Sequence, residues 1–207
     1  GGEEVVLRDP SGNIIHRFDY DDNNGWPGRA DGGGSSLEII DPEGDYDDEN
    51  NWRPSVAFGG TPGGSGGPPS GDIVITEILT HTDPPSLDTV EIRNTTGVGI
   101  DISGWYLSDS DLNWQKYEIP PGTMVPANGY VTFDETDFNS SGTFIDFALS
   151  GSNGDDVWLL EADSTGKLLK FIDHVEFGAS LNGESFGRWP NGAGLLTPMV
   201  SNTFGAT

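Results

Sequence analysis

Short runs of strand-forming residues, each closed by turn residues, recur at intervals of about 8–15 residues, a spacing that points to antiparallel β-structure. After residue 72 the runs are Ile73–Leu79, 89–93, 100–107, 117–119, 130–133, 144–149, 157–160, 168–174 and 175–177. Pro120-Pro121-Gly122 and Pro126-Ala127-Asn128-Gly129 are turns by their residue chemistry. No amphipathic helical stretch of useful length interrupts them. The pattern predicts an all-β antiparallel sandwich. Its most informative stretch is 100–109, Ile-Asp-Ile-Ser-Gly-Trp-Tyr-Leu-Ser-Asp. Ile100 and Ile102 alternate with Asp101 and Ser103, Gly104 lets the backbone bend, and Trp105 follows as a core plug at the corner.

The leading segment is sparser. Residues 4–8 and 14–20 read as a hairpin around Asp9-Pro10-Ser11-Gly12-Asn13, and acidic loops at 21–34 and 41–51 flank a short apolar run at 35–40. Residues 59–71 hold seven Gly and three Pro and read as a linker. The leading segment also matches part of the later chain. Glu4-Val5-Val6-Leu7, Gly12 and Asp19 match Asp156-Val157-Trp158-Leu159, Gly166 and Asp173, with seven residues from Gly to Asp in both copies. Ser36-Leu37-Glu38 pairs loosely with Ser185-Phe186-Gly187, and Thr61-Pro62 with Thr197-Pro198. The expected organisation is therefore residues 1–58 as the C-terminal half of a preceding unit, 59–71 as linker and 72–207 as a complete unit of a longer tandem protein. Half a sandwich leaves an unpaired edge and an open core. It must pack on the second unit, pair with another chain or stay partly disordered.

Several motifs in residues 72–207 resemble, in order, those of the lamin tail domain family. Ile75-Thr76-Glu77-Ile78 resembles its opening strand, with Thr76 where Asn is usual, and Val90-Glu91-Ile92-Arg93-Asn94 resembles its second. Residues 102–109 are similar to its Ser-Gly-Trp signature, and Ile119-Pro120-Pro121-Gly122-Thr123 to its turn. Residues 155–160, Gly166, Asp173 and Gly187-Arg188-Trp189-Pro190-Asn191-Gly192 resemble its closing elements. The resemblance implies an immunoglobulin-like β-sandwich with an accessory, non-catalytic role, of the bacterial type set beside enzymes or repeats in exported proteins.

Charge decides which partners are excluded. Thirty-four acidic residues face nine basic ones, for a formal net charge of −25. Nucleic acids and anionic membranes are poor partners for such a surface, because phosphate binding needs clustered Lys and Arg. The contacts that lamins make with chromatin therefore do not transfer. No run of about 18 apolar residues is present, so no membrane insertion is expected. The chain opens on Gly-Gly-Glu-Glu, without a signal-peptide pattern, as a mature fragment would. It has no cysteine, which rules out disulfides and thiol chemistry.

Candidate sites are few. His16, His81 and His174 are isolated and lack metal-ligand spacing. No nucleophile elbow or P-loop is present, and no carboxylate pair stands out for acid–base work. Asp109, Asp111 and Asn113 place oxygen side chains at alternate positions, as a hard cation needing 6–8 ligands requires, and nominate a calcium site. The same spacing recurs at Asp19, Asp21 and Asn23, and nearly so at Asp45, Asp47 and Glu49. A solvated acidic loop is the competing reading of each. Trp26, Trp52 and Trp114 lie in loops, where they would either stack sugars or cover a half-open core. Glu77 and Glu91 fit hydrogen bonding to backbone amides better than metal binding.

The expected function is a non-catalytic structural or protein-interaction module of an exported bacterial protein, extracellular or at the cell surface, with a protein or neighbouring domain as partner. No cofactor is required. The alternative is a calcium-dependent or carbohydrate-binding accessory module attached to an enzyme. An enzyme in its own right would need a deep cleft holding a carboxylate of raised pKa.

Overall fold

A computed structural model describes residues 2–64 and 66–206. Gly1, Ser65 and Thr207, which the sequence reading assigns to the leading half-unit, the linker and the second unit, lie outside the described residues. The chain divides into two units, residues 1–68 and 69–207. Gly59–Gly64 of the expected linker belong to the first, where the Gly59 N–H donates to Gly34 O and the Thr61 hydroxyl donates to Glu38 Oε1. No helix among the described residues is long and apolar enough to cross a membrane.

The first unit holds two antiparallel hairpins. β1 (Glu3–Arg8) pairs with β2 (Ile14–Tyr20), and β3 (Leu37–Ile39) with β4 (Trp52–Pro54). Val5 stands opposite Phe18 and Leu7 opposite His16, so these four share a face. Tyr46 stacks on His16 and meets Phe18, and Trp52 lies 4.9 Å from Phe18 and 6.0 Å from Trp26.

The second unit is a two-sheet sandwich. One sheet runs β11 (Tyr130–Asp134), β6 (Thr89–Asn94), β5 (Ile73–Leu79), β14 (Ser185–Arg188), β15 (Leu196–Pro198). The other runs β13 (Leu168–Phe177), β12 (Asp155–Ala162), β8 (Tyr106–Ser108), β9 (Tyr117–Glu118). A short pair, β7 (Ile100–Asp101) and β10 (Met124–Val125), and one helical turn, α1 (Glu135–Phe138), complete it. Ile75, Ile78, Val90 and Ile92 of one sheet meet Leu107, Val157, Leu159 and Val175 of the other in one buried cluster. β5 is buried along its whole length: it is paired on both edges, and Ile73, Ile75 and Ile78 enter the core.

Stretch 100–109 is two strands that meet at the corner its Gly104 and Trp105 predict. Gly104 takes φ +75°, the Trp105 N–H donates back to Ile102 O, and the chain leaves β7 to join β8 in a different sheet. Trp105 is half-buried against the core. Two expectations are corrected. Residues 144–149 are loop: Asp146 accepts the backbone N–H of Ser141 and Gly142 and closes a turn, which leaves Phe144 exposed while Phe147 and Leu149 reach the core. Residues 168–177 form a single strand rather than two, bent by register shifts against β12.

The two units share their hairpin geometry. In the first, the Gly12 N–H donates to Asp9 O, and Asp9 Oδ1 accepts from Ser11 N and Asn13 N. In the second, the Gly166 N–H donates to Asp163 O, and Asp163 Oδ1 accepts from Thr165 N and Lys167 N. Both hairpins carry a register shift just before the turn, at Leu7/Arg8 and at Glu161/Ala162. The second hairpins also correspond. Leu37 faces Pro54 as Phe186 faces Pro198, and the Ser55 N–H donates to Ser36 O at 2.8 Å as the Met199 N–H does to Ser185 O. By register the counterpart of Pro198 is therefore Pro54, not Pro62.

Candidate functional site

The signature residues of the second unit converge on β5. Glu77 and Glu91 stand directly opposite each other on β5 and β6, and each is 1% exposed. Two buried carboxylates in register repel unless donors surround them. Here the segment after β15 supplies those donors. The Thr203 N–H donates to both Glu77 oxygens at 3.0 Å and its hydroxyl to Oε2 at 2.7 Å. The Gly205 N–H donates to Glu91 Oε2. Ser185 Oγ closes on Glu77 Oε1 at 2.6 Å, and Thr76 Oγ1 on Glu91 Oε1 at 2.7 Å. Burial pushes the Glu91 carboxyl up from its ordinary value, against the pull of the Gly205 and Thr76 hydrogen bonds.

A second cluster ties the sheets together. The ladder between β14 and β5 ends at Glu77, and beyond it the Ile75 backbone finds side-chain partners. Asp173 Oδ2, from β13, accepts the Ile75 N–H at 2.7 Å, and Arg188 Nε donates to Ile75 O at 2.7 Å. Arg188 Nη2 grips both Asp173 oxygens at 2.9 and 3.0 Å, and Nη1 donates to Gly194 O. Burial raises the Asp173 pKa while Arg188 pulls it down. Asn94, fully buried, donates to Val98 O and Val125 O, which fastens β6 to β10. Asp88, whose carboxyl burial also raises, accepts from Thr82 Oγ1. These carboxylates are engaged by protein donors and brace the sandwich.

The nominated calcium residues sit differently. Asp109 Oδ1 is held by Lys116 Nζ at 2.5 Å, with both side chains about 15% exposed, so a lysine ammonium already neutralises it. Asp111 is exposed, and Asn113 Oδ1 accepts from Gln115 N while its carbonyl takes the Ser108 hydroxyl. In the first unit, Asp47 Oδ1 accepts the Asp19 N–H, and Asp21 Oδ1 accepts from Asp22 N and Asn23 N. Among the described residues no group of three or more His, Cys, Asp or Glu stands together as a metal centre requires.

His174 Nε2 lies 2.5 Å from Asp156 Oδ1 and its ring stacks on Trp158. His81 Nδ1 meets Ser180 O, and His16 stacks on Tyr46. Trp114 is buried edge-on against Trp158 and Phe171, so its ring is not offered to a sugar. Trp26 and Trp52 are half-buried against each other and against neighbouring rings. The sequence motifs contain Glu77, Glu91, Asp173 and Arg188, but only the two glutamates carry an expected role there, and Thr203 and Gly205 lie beyond the last motif in the chain.

Two packed antiparallel sheets cross-braced by buried polar residues define an immunoglobulin-like β-sandwich. The Lamin Tail Domain family matches residues 67–179, more than half of the chain. The chain belongs to the lamin tail domain family, whose members are non-catalytic immunoglobulin-like domains. No curated protein matches the chain.

Proposed function

We propose that this chain is a structural and protein-interaction module of a larger, exported bacterial protein, acting outside the cell or at its surface. One observation carries the reading: Glu77, Glu91, Asn94, Asp173 and Arg188 are all spent on holding the sandwich closed. Chemistry is then left to the surface, where large apolar side chains stand on loops of the second unit, among them Leu112 (92% exposed), Phe144 (88%) and Leu195 (83%). Apolar side chains set in a strongly acidic surface suit a protein partner with basic and apolar character. Phosphate-rich partners are disfavoured by the net charge of −25. A carbohydrate partner is the competing occupant of such a surface.

A photoreactive residue at Leu112 or Phe144, introduced into the full protein in its source cells, tests this. Adducts with one or a few proteins that disappear in Leu112→Asp or Phe144→Asp support the reading. Adducts only with glycans, or cytoplasmic retention of the protein, would overturn it.

A further inference from the structure

The first unit carries two hairpins whose turns and registers match those of β12–β13 and β14–β15, each with one strand edge unpaired among the described residues. In the second unit, β12 lies between β13 and β8, with Leu159 opposite Leu107, and β14 lies between β15 and β5, with Phe186 opposite Ile78. Among the described residues, β1 pairs only with β2 and β3 only with β4. The shared turns shift the strand match of the two hairpins by two residues, so that Val5 corresponds to Leu159 rather than to Val157, and Ile14 to Leu168. Leu159 and Leu168 are 0% and 8% exposed; Val5 and Ile14 are 43% and 46% exposed. A groove of about 510 Å3 borders β3, lined by Leu37, Glu38, Ile39, Arg53, Thr61 and Pro62.

We propose that residues 2–64 form an acceptor for strand addition, completed by the first half of another lamin tail unit. That half brings a strand of the β8 kind to β1 and one of the β5 kind to β3. Open edges present unpaired N–H and C=O groups that template an added strand, and alternate apolar side chains select its register. The second unit's own β5 and β8 are not available, because each is already paired on both edges. The occupant is fixed by the strands that cover the matching hairpins in the second unit: the β-branched Ile73–Leu79 and the short, apolar-centred Tyr106–Ser108. The proposal rests on the interaction-module reading and gives residues 2–64 an occupant of their own, separate from the partner expected at Leu112 and Phe144.

The test adds a second copy of residues 69–153, through a flexible linker, ahead of residue 1 of the full 207-residue chain. Tethering supplies the strands at high effective concentration. Backbone amides at residues 5–7 and 37–39 are expected to exchange at least about 100-fold more slowly than in the unmodified chain. Ile78→Pro and Leu107→Pro within the added copy are expected to restore fast exchange. Equal rates with and without the added copy overturn the proposal. So does protection of the same amides in a dimer of the unmodified chain, which makes a second copy the occupant, or in its monomer. None of these outcomes touches the cross-linking result at Leu112 and Phe144, which tests the module reading separately.

Discussion

Glu77 and Thr203, 126 residues apart, are joined by three contacts: the Thr203 N–H reaches both carboxylate oxygens at 3.0 Å and its hydroxyl reaches one at 2.7 Å. The segment after β15 is thereby fastened to the middle of the most buried strand. Glu77→Ala removes the acceptor and leaves the Thr203 and Ser185 donors facing each other across a cavity. A hydrogen bond to a charged group contributes about 1.5–3 kcal/mol, so the variant should lose about 3 kcal/mol in urea unfolding. Exchange at the Thr203 and Gly205 amides should accelerate more than exchange in β12. Glu77→Gln, which keeps one acceptor oxygen, should lose less.

Glu91 gives a pH signature. Burial raises its carboxyl above the ordinary value of 4.5, so the folded state binds that proton more tightly than the unfolded chain. Its contribution to stability is therefore fully present below the unfolded pKa and is lost as pH rises through the folded one. Glu91→Gln cannot titrate, and its amide can accept from Gly205 N and donate to Thr76 Oγ1. Unfolding midpoints of the two proteins should agree near pH 3.5 and diverge in favour of the variant toward pH 7. Parallel curves would place the titration elsewhere.

The Asp173–Arg188 pair joins the sheets through the Ile75 backbone, with side chains 16% and 15% exposed. Removing one member of a buried pair leaves the other charge uncompensated, at about 3–5 kcal/mol. Arg188→Leu should fall in that range by chemical denaturation. Asp173→Leu combined with Arg188→Leu should fall short of the sum of the single variants, because neither charge is stranded.

Much of this fold was legible in the sequence, and the exceptions share a cause. Ile73–Leu79 is a strand with the bounds its β-branched run predicts, and Asp9 to Asn13 is the turn its residues specify. Residues 144–149 look like a strand by hydrophobicity, yet Asp146 spends its carboxylate on the amides of Ser141 and Gly142, a choice no periodicity reveals. Ser185–Arg188 and Leu196–Pro198 contain Gly and Pro and are strands only because β5 pairs with the first and the first with the second. In the site, Glu77 and Glu91 were readable as partners of backbone amides, which Thr203 and Gly205 supply. Thr203 and Gly205 carry no local mark, since their role is set by a partner more than a hundred residues away.

The calcium reading of Asp109, Asp111 and Asn113 turns on Lys116. Its ammonium already neutralises Asp109, so 1 mM calcium is expected to leave the melting temperature within about 1 °C of the value in chelator at matched ionic strength. Lys116→Gln releases Asp109 and leaves three oxygen side chains on one short loop. A calcium-dependent rise in that variant alone would show that the lysine stands where the ion would. A rise in the unmodified protein that is abolished by Asp111→Asn would establish the ion at this loop.

Gly104 and Gly154 both adopt left-handed backbone, at φ +75° and +85°, and the sequence does not distinguish them. Their surroundings do. A Cβ added at Gly104 meets nothing within 4 Å, so Gly104→Ala carries only the left-handed strain of about 1–2 kcal/mol, and the turn from β7 into β8 should survive. At Gly154 the added Cβ would stand against Phe177 O and Gly178 Cα, backbone atoms that cannot swing aside. Gly154→Ala should therefore also break the start of the pairing between β12 and β13, where Asp155 faces Phe177. Its loss should exceed that of Gly104→Ala by about 2 kcal/mol in urea unfolding, with exchange at the Asp155 and Phe177 amides rising first. Equal losses would mean that the corner at Gly104, next to Trp105, is as tightly packed as the hairpin entrance.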